Sequence, residues 1–194
     1  MELSLIKLLR IGNDPDFSSP TASYYKHLPH MARFGYLHTI FAPLDRQLNA
    51  RLLDSLDAPE CLRRFLAIQN GAALFFNRLS FYGIVERGRL LNRRTERIQS
   101  PFNIADLNLQ LGFPTKARWL LIGSYRFDGT NIVLSRTDGI VRATARKTDT
   151  TVREWSSLGC CLQEEVERLS NLFDNSGNLL VDPQYTVPRP EMIV

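Results

Sequence analysis

The side chains of this chain that could carry chemistry are few, and their spacing completes no metal site. His27 and His30 have a spacing seen in metal sites, but Pro29 between them argues against a shared helix. No carboxylate pair or cysteine set completes the ligands, so we predict no bound metal. The three cysteines are an odd number with no C-x-x-C pair, so no disulfide framework is predicted.

Motifs for nucleophilic catalysis and for nucleotide binding are also missing from the sequence. It contains no G-x-S-x-G, no G-x-x-x-x-G-K-[ST] and no G-x-G-x-x-G. Glu164, Glu165 and Glu167 are predicted to lie outward near the start of a helix, where carboxylates favour the helix dipole. We therefore predict a non-enzymatic protein without catalytic residues and without a cofactor.

Arginines provide the remaining candidate chemistry, which is the binding of an acidic partner. Residues 61–155 hold 16 Lys and Arg against 7 Asp and Glu, although the net charge of the whole chain is only +4. Such asymmetry favours an acidic protein or a nucleic acid as partner. No nucleic-acid-binding motif accompanies the arginines, so protein binding is the first prediction and nucleic acid is the alternative. The arginines of the longest cluster are Arg87, Arg89, Arg93, Arg94 and Arg97.

Length and hydropathy predict one packed domain that stays out of the membrane. A chain of 194 residues with 44% hydrophobic residues can bury a substantial core. The longest apolar runs, 72–76 and 119–123, are too short to cross a bilayer. Lys7 and Arg10 interrupt the apolar N-terminal stretch and no cleavage site follows, so no signal peptide is predicted. We expect a cytoplasmic protein.

Hydrophobic periodicity predicts the helices that position these side chains. Leucines at every fourth position predict a helix over 44–56. The next helix, over 59–70, has Asp57 as its predicted N-cap, Pro59 in its first turn and Gly71 as its stop. Further helices are predicted over 1–11, 102–111 and 157–173.

Apolar runs separated by turn dipeptides predict an antiparallel meander. A buried strand is expected over 74–84, directly after the second helix, and a central strand over 119–123. Asp128-Gly129 and Asp138-Gly139 are dipeptides that favour tight hairpins, because both turn positions need a positive φ. Additional strands are predicted over 131–135, 140–145 and 179–181.

Proline-rich segments lie toward both ends of the chain. Pro15, Pro20 and Pro29 fall within 13–30, which we predict to be an irregular surface segment. The residues from 182 onward are predicted to form an extended tail for the same reason.

A series of short motifs occurs in a characteristic order between about residues 40 and 181. The motifs are Ala58-Pro59 through Phe65-Leu66, Gln69-Asn70-Gly71-Ala72, Leu74-Phe75-Phe76, Phe81-Tyr82-Gly83, Leu121-Ile122-Gly123-Ser124, Ile132-Val133-Leu134, Gly139-Ile140-Val141 and Trp155 to Leu158. In this order they resemble the SUKH superfamily, which contains a fungal regulator of cell-wall synthesis and many bacterial toxin-immunity proteins. The resemblance divides the chain into an N-terminal extension (1–40), a SUKH-like α+β domain (41–181) and an extended C-terminal tail (182–194).

The resemblance implies an α+β fold with a single, mostly antiparallel sheet flanked by helices. The superfamily has no shared set of catalytic residues, and the resemblance implies that the protein functions by binding another protein. In bacteria that partner is often a toxin domain, which is neutralised in the cytoplasm. Loops carry function, and Arg and Tyr are frequent interface anchors, so we expect contacts from exposed sheet residues and connections. The predicted partner-binding residues are Arg93, Arg94, Tyr125, Arg126, Phe127 and Asp128.

Overall fold

The computed structural model describes residues 4–33, 35–85, 100–111, 118–146, 148 and 150–189. The helices are α1 (Leu5–Leu8), α2 (Arg46–Ser55), α3 (Glu60–Ile68), α4 (Ile104–Gln110) and α5 (Leu158–Ser170), followed by a 3-10 helix (Pro183–Thr186). The strands are β1 (Phe17–Ser19), β2 (Ala22–His27), β3 (Tyr36–Phe41), β4 (Ala72–Leu74), β5 (Leu79–Phe81), β6 (Trp119–Tyr125), β7 (Asn131–Ser135), β8 (Val141–Thr144) and β9 (Thr151–Trp155).

The nine strands form one antiparallel sheet, in which spatial order follows chain order from β1 to β9. The predicted α+β fold with a single antiparallel sheet flanked by helices is therefore confirmed. One hydrophobic cluster joins residues of all five helices to the sheet. The two predicted hairpins are present, but the predicted turn type is wrong: only the glycine of each Asp-Gly dipeptide has a positive φ (75° at Gly129 and 73° at Gly139), and each connection has five residues.

The irregular segment predicted over 13–30 is wrong, because it contains β1 and β2. Pro20 lies in the turn between these strands and Pro15 precedes β1, so neither removes a donor from the sheet ladder. Ala22, Tyr24 and Tyr25 of β2 are buried. Residues before 41 thus contribute strands to the same sheet as the rest of the chain.

Helix α3 forms where it was predicted but differs at both ends, since it ends at Ile68 with Gln69, rather than Gly71, at its C-terminal cap. Asp57 does not cap it: Pro59 is the N-cap residue, and no side chain accepts a hydrogen bond there. Phe65 and Leu66 are buried in the core, where each side chain contributes about 1.5–3 kcal/mol by leaving water. This burial, rather than a cap, is what stabilises the helix.

The strand predicted over 74–84 is two strands, β4 and β5, joined by a tight turn. Phe75, Phe76 and Asn77 have φ of 52°, 54° and 64°, an uncommon conformation for residues with a side chain. The turn places the buried Phe75 ring 4.8 Å from the ring of His38 and 5.4 Å from the ring of Phe173. Packing therefore holds this backbone in place.

Asn70 and Gly71 join the end of α3 to the end of β5. The Asn70 side-chain amide pairs with the backbone of Ile84, accepting from its N–H (2.7 Å) and donating to its carbonyl (2.8 Å). Gly71 has φ of 87°, and a Cβ at that position would lie 2.6 Å from the carbonyl oxygen of Phe81. The Asn-Gly motif is therefore a structural joint between a helix and the sheet.

A second asparagine, Asn108 of α4, makes the same kind of pairing with β6. Its amide accepts from the N–H of Leu121 and donates to the carbonyl of Leu121, both at 2.8 Å. The backbone of Tyr82 still donates to the carbonyl of Ile122 (2.8 Å), and at the next residue of β6, Leu121, the Asn108 amide takes the place of a strand neighbour. Asn108 is buried, so this pairing takes place away from water.

Helix α5 begins at the predicted residue, but one of its acidic residues is not where the sequence predicts it. Ser157 caps the helix by accepting from the N–H of Cys160 (3.2 Å). The prediction that Glu165 lies outward is wrong, since it is fully buried. It accepts from the Tyr125 hydroxyl (2.8 Å) and from the Arg168 guanidinium (2.6 Å).

The segment after α5 is folded back onto the domain. The strand predicted over 179–181 is absent from the described residues, where a single bridge pairs Phe173 with Leu179. The tail predicted to be extended contains the 3-10 helix instead. Arg168 donates to the carbonyls of Tyr185 (2.9 Å) and Thr186 (2.8 Å), and Val187 after it is buried.

Candidate binding surface

The structure places four of the six predicted partner-binding residues around one turn. Arg126, Phe127 and Asp128 form the exposed connection between β6 and β7, as expected. Tyr125 is fully buried, so its prediction as an exposed contact residue is wrong. It pairs with Leu79 in the sheet and faces the helices, where its hydroxyl reaches Glu165. Arg93 and Arg94 lie outside the described residues.

A single line of paired residues crosses the sheet from β1 to β9 on the face opposite to that of Tyr125. Directly paired residues of neighbouring strands share a face, so these side chains form one row, which we call the cross-sheet row. Beyond Phe17 and Tyr24, every member is small or carries a hydroxyl or amide. The row is Phe17, Tyr24, Thr39, Ala73, Ser80, Ser124, Asn131, Thr144 and Thr151.

The middle of the cross-sheet row is the floor of an open groove of about 640 Å³. Ala73, Ser80 and Ser124 are small enough to leave space above the sheet, and larger side chains stand around them. None of the described residues that line the groove is an Asp or a Glu. The surrounding residues include Phe41, Asn77, Tyr82, Phe102, Leu107, Arg126 and Gly129.

The polar groups of the groove are oriented as hydrogen-bond donors. The Tyr82 hydroxyl donates to Ser124 Oγ at 2.7 Å, which leaves the Ser124 proton free to point elsewhere. Burial raises the pKa of Tyr82, while its bond to Ser124 and the Arg146 charge act in the opposite direction. Tyr82 is therefore a neutral donor at physiological pH and cannot act as a base.

Two arginines lie at the β7 end of the groove. Arg126 lines it directly, and Arg146 lies against Gly129, where an added Cβ would be 2.9 Å from Arg146 Cδ. Both are exposed, and among the described residues neither has an ion-pair partner.

Aromatic rings cover the other end of the same face. Tyr24 lies between Phe17 and Tyr36, with ring centroids 5.5 and 5.2 Å away, and His27 follows Tyr36 at 5.1 Å. Phe17 is half exposed. Phe17, Tyr24 and His27 belong to strands within the segment 13–30 that was predicted to be irregular, so the sequence prediction missed them.

The histidines and cysteines do not assemble into a reactive site. In the described part of the chain, no group of three His, Cys, Asp or Glu side chains is arranged to hold a metal ion. His27 and His30 bond separately, to the carbonyl of Arg33 (3.2 Å) and to Asn178 (2.9 Å). Cys161 is buried in the core, and burial raises the pKa of its thiol.

None of the helices in the described residues has the length and apolar character needed to cross a membrane. Comparisons with protein-family models, with characterised proteins and with solved structures find no match to this chain.

Proposed function

We propose that this chain is a non-enzymatic protein-binding module of the immunity type, which neutralises a cognate toxin domain in the cytoplasm. Two independent lines support the proposal. The first is the order of short motifs between residues 40 and 181, which resembles the SUKH superfamily. The second is the surface built on the cross-sheet row, which offers the mixed chemistry of a protein interface.

The observation that carries the proposal is the open groove in the middle of the cross-sheet row. Tyr24, Thr39, Asn131 and Thr144 of the row are buried, so a partner reaches this face at the groove of about 640 Å³. The exposed ring of Phe102 and the exposed side chain of Arg126 line the groove. Aromatic residues and arginines are enriched at interface hot spots.

The groove itself favours binding over catalysis. Its described lining contains no histidine, carboxylate or cysteine that could act as a general base or nucleophile. Its hydroxyl-bearing residues are Ser80, Tyr82, Ser100, Ser124 and Tyr125, and burial raises the pKa of both tyrosines. We therefore propose that these groups recognise a partner and do not transform it.

The experiment that tests the proposal is affinity purification from the native host with a matched pair of variants. Ala73→Trp fills the groove floor, whereas Ala50→Trp makes the same change on the exposed surface of α2. We expect one protein to co-purify with the wild type and with Ala50→Trp but not with Ala73→Trp. Circular dichroism and thermal melting establish that both variants are folded.

The identity of the captured protein decides the immunity part of the proposal. Expression of the captured protein alone should arrest growth of a test strain, and co-expression of this chain should restore it. Capture of no protein at any salt concentration, or equal capture by Ala73→Trp, would contradict protein binding through this surface. A captured protein that is not toxic would overturn the immunity role.

A further inference from the structure

Five of the nine arginines that the structure describes between residues 61 and 155 are paired with carboxylates. Arg118 pairs with Asp138 (2.8 Å) and Arg142 with Glu154 (2.6 Å). Arg136 donates to the carbonyl of Trp119 at 2.9 Å. Similar ion pairs occupy Arg63, Arg64 and Arg153.

Arg126 and Arg146 are exposed, and no described carboxylate forms an ion pair with either of them. They are brought together by the β6–β7 connection: Arg126 begins the turn, and Gly129 at its end is covered by the Arg146 side chain. The only carboxylate of this turn, Asp128, accepts from the N–H of Thr130 at 2.8 Å. Among the described residues, therefore, no carboxylate neutralises Arg126 in the groove lining or Arg146 beside Gly129.

The hydroxyl groups beside these arginines add donors of the same polarity. Ser124 already accepts from Tyr82, so its own proton is available to an acceptor in the groove. Ser80, its direct neighbour in the sheet, presents a second hydroxyl from the groove floor. A site made of arginines and hydroxyl donors, with no carboxylate in its described lining, is complementary to an anion.

Building on the proposed function, we propose that the groove receives the carboxylate of an Asp or Glu carried on a loop of the partner protein. Arg126, Arg146 and the Ser124 hydroxyl contact the carboxylate. The residues flanking it in the partner loop are apolar and lie on the exposed ring of Phe102, which lines the same groove.

A carboxylate on a protein loop fits this site better than a nucleic-acid backbone does. A nucleic acid presents a phosphate at every nucleotide and binds to an extended track of cations. The site offers two neighbouring arginines, and the rest of the cross-sheet row is uncharged. Tyr24 and Tyr36 pack against each other, and Tyr24 is buried, so its ring face is closed to a base.

The test titrates the full chain with an acetylated, amidated hexaglutamate peptide and with hexaglutamine as the uncharged probe. Binding is measured by calorimetry and by NMR of the arginine side-chain Nε–Hε signals. We compare Arg126→Gln/Arg146→Gln with Arg46→Gln/Arg51→Gln, which removes the same charge from exposed positions on α2. Decathymidylate serves as the nucleic-acid probe.

We expect hexaglutamate to shift the signals of Arg126 and Arg146, and hexaglutamine to shift neither. The groove variant should bind hexaglutamate at least tenfold more weakly, and the α2 variant should change the affinity less than twofold. Equal loss in both variants would overturn the proposal, because binding would then follow net charge alone. Tighter binding of decathymidylate through the same arginines would also overturn it, in favour of nucleic acid.

Failure of this inference is distinguishable from failure of the proposed function. If Ala73→Trp abolishes partner capture while Arg126→Gln/Arg146→Gln does not, the acidic contact is wrong and protein binding stands. If hexaglutamate binds at these arginines but no protein is captured, the anion site stands and the proposed function is wrong.

Discussion

His38 shows how one buried side chain couples the stability of this domain to pH. It lies on β3 with its ring against Phe75, and it is almost fully buried. Burial lowers its pKa from 6.5 to about 3, and the charge of Lys26 contributes in the same direction. His38 is therefore neutral in the folded protein at a pH at which it is protonated in the unfolded chain.

We predict that His38→Gln makes the stability of the domain less dependent on pH. Between pH 6.5 and about 3 the unfolded state binds one more proton at His38 than the folded state. The contribution of neutral His38 to the free energy of unfolding is fully present above pH 6.5 and is lost as the pH falls toward 3. The variant should remove up to about 1.4 kcal/mol per pH unit from the slope of the unfolding free energy in that window.

Urea unfolding at several pH values measures this slope. His30→Gln is the matched control, because His30 is exposed and its loss should leave the slope unchanged. Parallel curves for the wild type and His38→Gln would contradict the neutral, buried state of His38.

At the level of elements, two asparagine side chains replace missing strand neighbours. Asn70 pairs with Ile84 after α3, and Asn108 of α4 pairs with Leu121. Each amide offers one donor and one acceptor, which is what a strand residue offers to its neighbour. The end of α3 and the whole of α4 are fixed to the sheet in this way, and both lie beside the groove.

We predict that Asn108→Leu destabilises the domain by about 2–4 kcal/mol. The apolar replacement has a similar size but leaves the N–H and the carbonyl of Leu121 buried without partners. Urea unfolding measures the loss, and hydrogen exchange at the Leu121 amide should accelerate. Gln110→Leu on the exposed side of the same helix should change neither quantity. Unchanged exchange at Leu121 would refute this role for Asn108.

The elements that the sequence predicts well are those with strong apolar runs. β6 and β7 consist almost wholly of buried residues bounded by turn dipeptides, so local pattern suffices for them. β1 and β2 escape prediction because their serines and flanking prolines are typical of loops, and only pairing with β3 orders them. Glu165 escapes prediction because its partners, Tyr125 and Arg168, neutralise it in the fold.

At the scale of the whole molecule, the binding surface exists only through the register of the sheet. The members of the cross-sheet row are separated by 7 to 44 residues along the chain, and no local pattern links them. Local signals do indicate the exposed turn at Arg126 to Asp128. They misplace Tyr125, since only its pairing with Leu79 shows which face it occupies.

The C-terminal segment, residues 182–189, packs back onto helix α5. Arg168 connects the buried Glu165 on α5 to the carbonyls of Tyr185 and Thr186. Val187 is buried at the same place. The segment and the turn residues Phe127 and Asp128 line the same surface cavity.

Ending the chain after Asp182 should therefore destabilise the domain by about 2–4 kcal/mol. The truncation exposes the apolar surface that Val187 covers and removes two carbonyl acceptors from Arg168.

Because Arg168 acts partly through this segment, Arg168→Gln should lower the free energy of unfolding by about 1 kcal/mol less in the truncated chain than in the full chain. Leu180→Ser, at an exposed position, serves as the control and should cost less than about 0.5 kcal/mol. Equal costs of Arg168→Gln in both chains would show that Arg168 stabilises Glu165 alone, and that the C-terminal segment is held by its apolar contacts.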